Sequence, residues 1–395
     1  SRMEMIDCGP DNLLYRWKGS DTEALPALLL AHQDVVPASD ATQWRFPPFA
    51  STVAEGYVWG RGSFDAKGQL IAICESAEAL LAQGFTPRRT WYIAFGCDEE
   101  TRGTEGAARI SAHLERQGIR FSFVLDEGGV VADRFIAGID RPIAVVGIAE
   151  KGDAHIRLTC TKGGGHSSTP DNPAAPAILG RAMWRLESKR PRPRMTRPVR
   201  LMLHTLGRHV PFPIAFLFLN LWLTKPLVQY AFSRNPTLGA LVRSTCTVTM
   251  AQGSEAPNVV PTMASAVANI RLLPDEGAED MLGWMRKRIG DNRIVLTIEH
   301  NSRRSKPSRI DGPEFGLLSG TITRVFPDAI TVPYLMTGGT DALWYEPLSD
   351  CVFRFTPVRM DNGELKRMHG TDERLSLENL EKAMRFYMAL LHEDQ

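Results

Sequence analysis

Histidines and acids recur in this chain where short apolar runs end. Ala27 to Ala31 is apolar and stops at His32-Gln33-Asp34; Trp91 to Phe95 stops just before Asp98-Glu99-Glu100; Phe121 to Leu125 stops at Asp126-Glu127. If the runs are strands, three of them deliver ionisable groups to their C-terminal ends, the edge at which open α/β sheets bind ligands. In an extended H-x-D triplet both side chains point the same way, so Asp34 lies beside the His32 imidazole. A carboxylate so placed fixes the tautomer of a metal-bound histidine. Taken alone, the triplet also fits a surface histidine next to a stray aspartate.

A second pattern is Gly60-Arg61-Gly62-Ser63-Phe64-Asp65-Ala66-Lys67-Gly68. Its glycines permit a tight turn before a helix, and Asp65 stands near the helix start, where it could serve as an N-cap. As a ligand it could instead bridge two cations with its two oxygens. Three acids in a row at 98–100 fit a solvated acidic turn, or a buried sheet edge neutralised by cations. There one glutamate ligates while its neighbour stays free as a general base. His369, in Met368-His369-Gly370-Thr371-Asp372-Glu373, precedes the last helical pattern. Two histidines with several carboxylates form the N/O ligand set that suits zinc.

The elements that must position these groups follow from periodicity. Leu70, Ile73, Cys74, Ala77, Leu80 and Leu81 recur at helical spacing, with Gly84 as the stop. Strands alternating with such helices over the first 150 residues predict an α/β sheet. After Gly152 the texture changes: a strand through His155, Arg157 and Thr159, strands at 246–250, 264–272 and 294–299, and a helix at 279–289. Beyond Ser305 the α/β pattern resumes, with helices at 315–325 and 377–391. The expectation is a catalytic domain in two parts, 1–152 and 304–395, with a smaller α+β unit, 153–303, inserted between them. The apolar segment from Pro213 to Phe232 is expected to pack within the insert; an acyl-chain pocket is the other reading.

Bulk properties exclude more than they assign. The 395 residues carry a formal net charge of +1, with 43% hydrophobic and 23% charged residues. That balance gives no reason to expect nucleic acid or an anionic membrane as partner. The longest apolar stretch is interrupted by Pro211, Pro213, Lys225 and Pro226, too often for a bilayer span. Six scattered cysteines form no C-x-x-C pair, which leaves the compartment open, with the cytoplasm slightly favoured. No signal peptide is visible, and the true N-terminus is expected to lie upstream of Ser1.

The pieces AHQDVVP, WGRGSFDAKG, DEETRGTEG, VLDEGG, GGGHSSTP, APNVVP, GGTDA and MHGTDE run in an order that resembles the carboxypeptidase S and aminoacylase-1 family of dinuclear zinc metallopeptidases. The resemblance implies an α/β fold: a mixed-sheet catalytic domain with an inserted lid and dimerisation domain. By position it implies two Zn2+ per subunit, with Co2+ or Mn2+ as substitutes. His32 with Glu127 (Asp126 as the alternative) would hold one ion, His369 with Glu100 the other, and Asp65 would bridge them. Asp34 would orient His32, Glu99 would be the base, and His166 would reach a partner subunit's site in a homodimer. Asn258, Arg271 and the loop Gly338, Gly339, Thr340 would bind the substrate and its carboxylate. Leu343 stands where many relatives have an arginine.

The implied reaction is hydrolysis of an amide beside a free carboxylate, in a small peptide or an N-acyl amino acid. The competing reading is a non-catalytic, metal-stabilised binding protein, which would have no use for an unliganded base such as Glu99. No G-x-S-x-G elbow, Walker A loop or dinucleotide fingerprint is present.

Overall fold

The structure is a computed structural model that describes residues 3–39, 41–133 and 139–393. Eight strands form one mixed sheet, in the order Met3–Ile6, Leu13–Trp17, Trp91–Gly96, Ala27–His32, Val124–Ala132, Val352–Met360, Ile143–Glu150 and Ile330–Met336. Strand Ala27–His32 runs parallel to both Trp91–Gly96 and Val124–Ala132. All six residues of Ala27–His32 and of Trp91–Gly96 are buried, the unbroken apolar pattern of strands covered on both faces.

One face packs against the helices Lys67–Ala82, Pro313–Val325 and Leu377–Glu393 through Ile73, Leu80, Leu318, Ile322, Phe386 and Leu390. The other meets the helix Ala107–Arg116 through Ile110 and Leu114. A second, four-stranded antiparallel sheet has the order Thr245–Gln252, Met263–Leu272, Gly152–Thr161, Ile294–Asn301. The helices Ala175–Glu187 and Ala278–Ile289 cover one of its faces through Ile178, Leu179, Met281 and Met285. On its other face, His155 and Arg157 are only partly buried.

Two expectations need correction. The segment 153–303 does not pack as one body. Its middle helices, Arg197–Gly207, Ile214–Leu219 and Leu221–Arg234, bury Val199, Leu203, Leu206, Phe218 and Val228 against Val145, Val332 and Leu335 of the large sheet. The Pro213 to Phe232 segment therefore covers the catalytic sheet instead of packing inside the insert. The third predicted strand also does not end at Asp126. It begins at Val124 and runs through the acids to Ala132, with an irregularity that pairs Arg354 with Asp126 and the next residue, Phe355, with Gly129. That slip frees Glu127 and Gly128 from the ladder.

Arg354 interrupts an apolar strand and is fully buried. Its Nε donates to Glu150 Oε2 at 2.8 Å, its Nη2 to Glu346 Oε1 at 2.8 Å, and its Nη1 to the Val352 carbonyl at 3.1 Å. Thr340 Oγ1 donates to the same Glu150 oxygen at 3.2 Å, so this ion cluster anchors the loop after the edge strand Ile330–Met336. Arg354→Met is expected to leave two buried carboxylates without their cation. The expected cost is about 3–5 kcal/mol of stability, read from the urea midpoint; an unchanged midpoint would contradict it.

Candidate active site

His32 ends its strand with the ring buried. Nδ1 faces the backbone carbonyl of Asp34 at 3.0 Å and its carboxylate Oδ1 at 3.3 Å. Both partners accept, so Nδ1 carries the proton and Nε2 points into the site. Asp34 also joins this strand to the next acidic turn: Oδ1 accepts the Glu99 N–H and Oδ2 the Glu100 N–H, each at 3.0 Å.

Asp65 is not an N-cap. The helix that follows is capped at Ala66 with no side-chain bond, and the Asp65 carboxylate turns inward between two imidazoles. His32 Nε2 lies 2.9 Å from its Oδ1, and His369 Nε2 lies 3.0 Å from its Oδ2. Glu127 Oε1 is 3.5 Å from His32 Nε2, and Glu100 Oε1 is 3.3 Å from His369 Nε2. Ligand-capable atoms of His32, Asp65 and Glu100, and those of His32, Glu99 and Glu127, fall within 4.8 Å of one another. The bulge brings Glu127 to His32. Asp126 is buried instead with Oδ1 accepting the Glu127 N–H at 2.8 Å.

Three further residues of these motifs, for which the sequence suggested no separate role, lie beside the cluster. Buried Glu373 accepts the Phe64 and Asp65 N–H groups on Oε1 at 3.0 and 3.1 Å, while Oε2 pairs with Arg61. Arg61 Nη2 donates to the Gly370 carbonyl at 3.0 Å, so this pair ties the Asp65 turn to the His369 turn. The signal was an arginine and a glutamate, each inside a motif that also carries a candidate ligand. Asp341 is the third, buried beside Gly96 and Gly103. A Cβ at either glycine would come within 2.8 and 2.2 Å of its oxygens.

The other predicted residues are not drawn into this cluster. His166 is exposed, in a two-residue strand paired with Val259–Val260, and its Nδ1 lies 2.8 Å from Ser168 Oγ. Asn258 is nearby, its carbonyl accepting the Ser167 N–H at 3.1 Å. Arg271 sits on the small sheet, 3.6 Å from Asp153. Gly338 and Gly339 are exposed in the loop that Thr340 anchors.

The charges explain what this cluster requires. Burial, then the charge of Glu127, pushes Glu99 up to about 10. Burial, then the charge of Asp65, pushes Glu127 up to about 8, and the same two causes raise Glu100. Burial opposes ionisation of Asp65 too, but His32 and His369 hold it well below the usual carboxylate range. His32 is raised against its own burial by Glu127, Asp34 and Asp65, and His369 chiefly by its bond to Asp65. Glu100 Oε1 is buried without hydrogen-bond geometry to any donor. Two imidazole nitrogens, a shared aspartate and excess buried carboxylate fit a pair of cations.

Without metal, this cluster gives stability a definite pH dependence. Glutamates with raised pKa values stabilise the folded state fully below about 4.5, and that contribution fades as pH rises through their folded values. The raised histidines act in the same direction above about 6.5, whereas Asp34 and Asp65, both lowered, stay constant through neutrality. The metal-free protein should therefore melt lower at about pH 8 than at about pH 6, and metal should remove most of the difference. A metal-free melting temperature that rises over this range would contradict the assigned charges.

Comparison with known proteins gives the same picture. Residues 28–393 match the model of peptidase family M20/M25/M40. The chain is 39% identical to a probable carboxypeptidase S-like 2 of Dictyostelium discoideum, over 96% of this chain and 74% of that one. It is 37% identical to the N-fatty-acyl-amino acid synthase/hydrolase PM20D1 of Xenopus tropicalis, over 96% and 74%. In fold it is similar to the M20 family metallo-carboxypeptidase Sso-CP2 of Sulfolobus solfataricus, with a TM-score of 0.69 at 16% identity, covering 96% of this chain and 87% of that one. The cluster of buried His32, half-exposed His369 and the carboxylates they share thus sits in a chain that belongs to the peptidase family M20/M25/M40.

Proposed function

We propose that this hydrolase uses two zinc ions to cleave an amide bond whose amine-side residue carries a free carboxylate. The observation that carries the reading is the pair of imidazoles facing opposite oxygens of Asp65, at 2.9 and 3.0 Å. One ion would be held by His32, Glu127 and Asp65 Oδ1, the other by His369, Glu100 and Asp65 Oδ2. The ligand atoms are all imidazole nitrogen and carboxylate oxygen, which suits zinc and also accommodates Co2+ or Mn2+. Two bound cations would supply an acidified water and a polarised scissile carbonyl.

The chain's own residues do the rest. Cations on the neighbouring carboxylates would let Glu99 ionise, and it then takes a proton from the attacking water and returns it to the leaving amine. Asp34 keeps that glutamate in place through its backbone N–H, and keeps His32 in one tautomer through Nδ1. Arg61 and Glu373 hold the turn from which Asp65 projects. The loop Gly338–Thr340 and Arg271 are read as the groups that receive the substrate carboxylate, Arg271 by bidentate pairing. The two relatives support this substrate class: a carboxypeptidase and an N-acyl-amino acid hydrolase both act on an amide beside a carboxylate. A non-catalytic binding protein is disfavoured, because each proposed ligand set already has an imidazole and two carboxylates without Glu99, which nonetheless stands beside His32 and Glu127.

His166 and Asn258 support a shared active site. His166 lies on the exposed two-stranded ribbon and Asn258 in the turn that leads into its second strand, and the His166 ring hydrogen-bonds only Ser168 among the described residues. We read the enzyme as a homodimer joined through these units, with His166 stabilising the oxyanion in the partner's site. Two results are expected. Glu99→Gln keeps its metal by elemental analysis but loses nearly all hydrolysis of N-acyl amino acids and dipeptides. A mixture of Glu99→Gln and His166→Ala subunits, each inactive alone, regains activity. Loss of metal in step with activity would contradict the role of Glu99, and full activity of His166→Ala would contradict the shared site.

A further inference from the structure

The helix Leu221–Arg234 buries Thr224, Val228 and Phe232 toward the large sheet. An ordinary surface helix would then be polar outside. This one presents Trp222 (83% exposed), Leu223, Pro226, Leu227 and Tyr230 (62%) to solvent. At about 100° per residue these five share one arc of roughly 140°. The preceding turn and helix add exposed Phe212, Phe216 and Leu219, with the two phenylalanine rings 6.3 Å apart edge to face.

The surrounding charge is as one-sided as the face is apolar. From Ser188 to Ser254 the chain carries ten lysines and arginines and no aspartate or glutamate, although the whole chain is only +1. On the flank of the same helix a cavity of about 610 Å³ is lined by Arg194, Arg197, Arg200, Lys225 and Gln229. Its one acid, Asp275, pairs with Arg194. Arg197, Arg200 and Lys225 have no carboxylate partner among the described residues.

We propose that this face docks the enzyme on an anionic lipid bilayer. The apolar arc enters the headgroup boundary, with Trp222 and Tyr230 in the interfacial position such rings favour. The neighbouring cationic cavity takes the anionic headgroups. No helix among the described residues is long and apolar enough to cross a membrane, so the contact is with one surface. The sequence-level exclusion of a membrane partner concerned spanning and overall charge, and neither bears on a local cationic, apolar face. A second copy of the chain fits less well, because two-fold pairing through this helix would bring the unpaired cations of one copy against those of the other.

The test is sedimentation of the metal-loaded protein with vesicles of phosphatidylcholine, with and without phosphatidylserine. Wild type should bind the phosphatidylserine vesicles, more weakly as salt rises. Arg197→Ala with Lys225→Ala should weaken binding about twenty- to thirtyfold. Trp222→Ser with Leu227→Ser and Tyr230→Ser should abolish it, with unchanged melting temperature and oligomeric state; should that triple variant fold poorly, Trp222→Ser alone should still weaken binding. The proposal falls if wild type ignores phosphatidylserine at low salt, or if neither set of substitutions alters binding. It also falls if the apolar substitutions turn a dimer into monomers, which would make the face an interface between copies.

Discussion

Each oxygen of Asp65 faces a different histidine, and the site depends on that carboxylate staying square between them. One aspartate serving both sides must be fixed in position and rotation, because a turn of its carboxylate would lose both partners together. The protein does this through the backbone. Glu373 accepts the N–H groups of Phe64 and Asp65 and is held by Arg61, which also reaches the Gly370 carbonyl. The turn bearing Asp65 and the turn bearing His369, some three hundred residues apart in sequence, are thereby locked to each other.

Asp34 repeats this logic on the other side. It faces His32 Nδ1 and accepts the N–H groups of Glu99 and Glu100, so one carboxylate sets an imidazole and the adjacent acidic turn together. The cost is electrostatic. Glu99, Glu100, Asp126, Glu127 and Asp341 are gathered at one sheet edge, and burial raises the pKa of each. Such a cluster is stable only with protons or cations on it, and at neutral pH cations are the better partners. Attraction for cations and a stability that falls with pH in their absence would share this one origin.

Much of this was legible in the sequence, because His32 ends one strand, and Glu99 and Glu100 closely follow another, whose apolar runs are unmistakable. The strand Ala27–His32, the helix Lys67–Ala82 and the strands of the small sheet emerge within a few residues of their predicted limits. Asp65 was ambiguous because a short acid before a helix looks the same whether it caps or ligates. Resemblance favoured Glu127 over Asp126, but the residues themselves did not distinguish them, since their different settings arise from a bulge opposite Arg354 and Phe355, a relation between strands far apart in the chain. Arg354 in an apolar strand was a visible anomaly, but its partners Glu150 and Glu346 are set by packing. The helices after Arg197 were misplaced for a related reason: an apolar pattern states that a face is buried without stating against which sheet.

We propose that one aspartate, Asp65, joins two cation sites. The most direct measurement is anomalous scattering at the zinc edge from crystals of the zinc-loaded protein. Two peaks are expected, one among His32, Glu127 and Asp65 Oδ1, the other among His369, Glu100 and Asp65 Oδ2. A single peak, or a peak coordinated by Asp126 with Asp65 turned away, would contradict it.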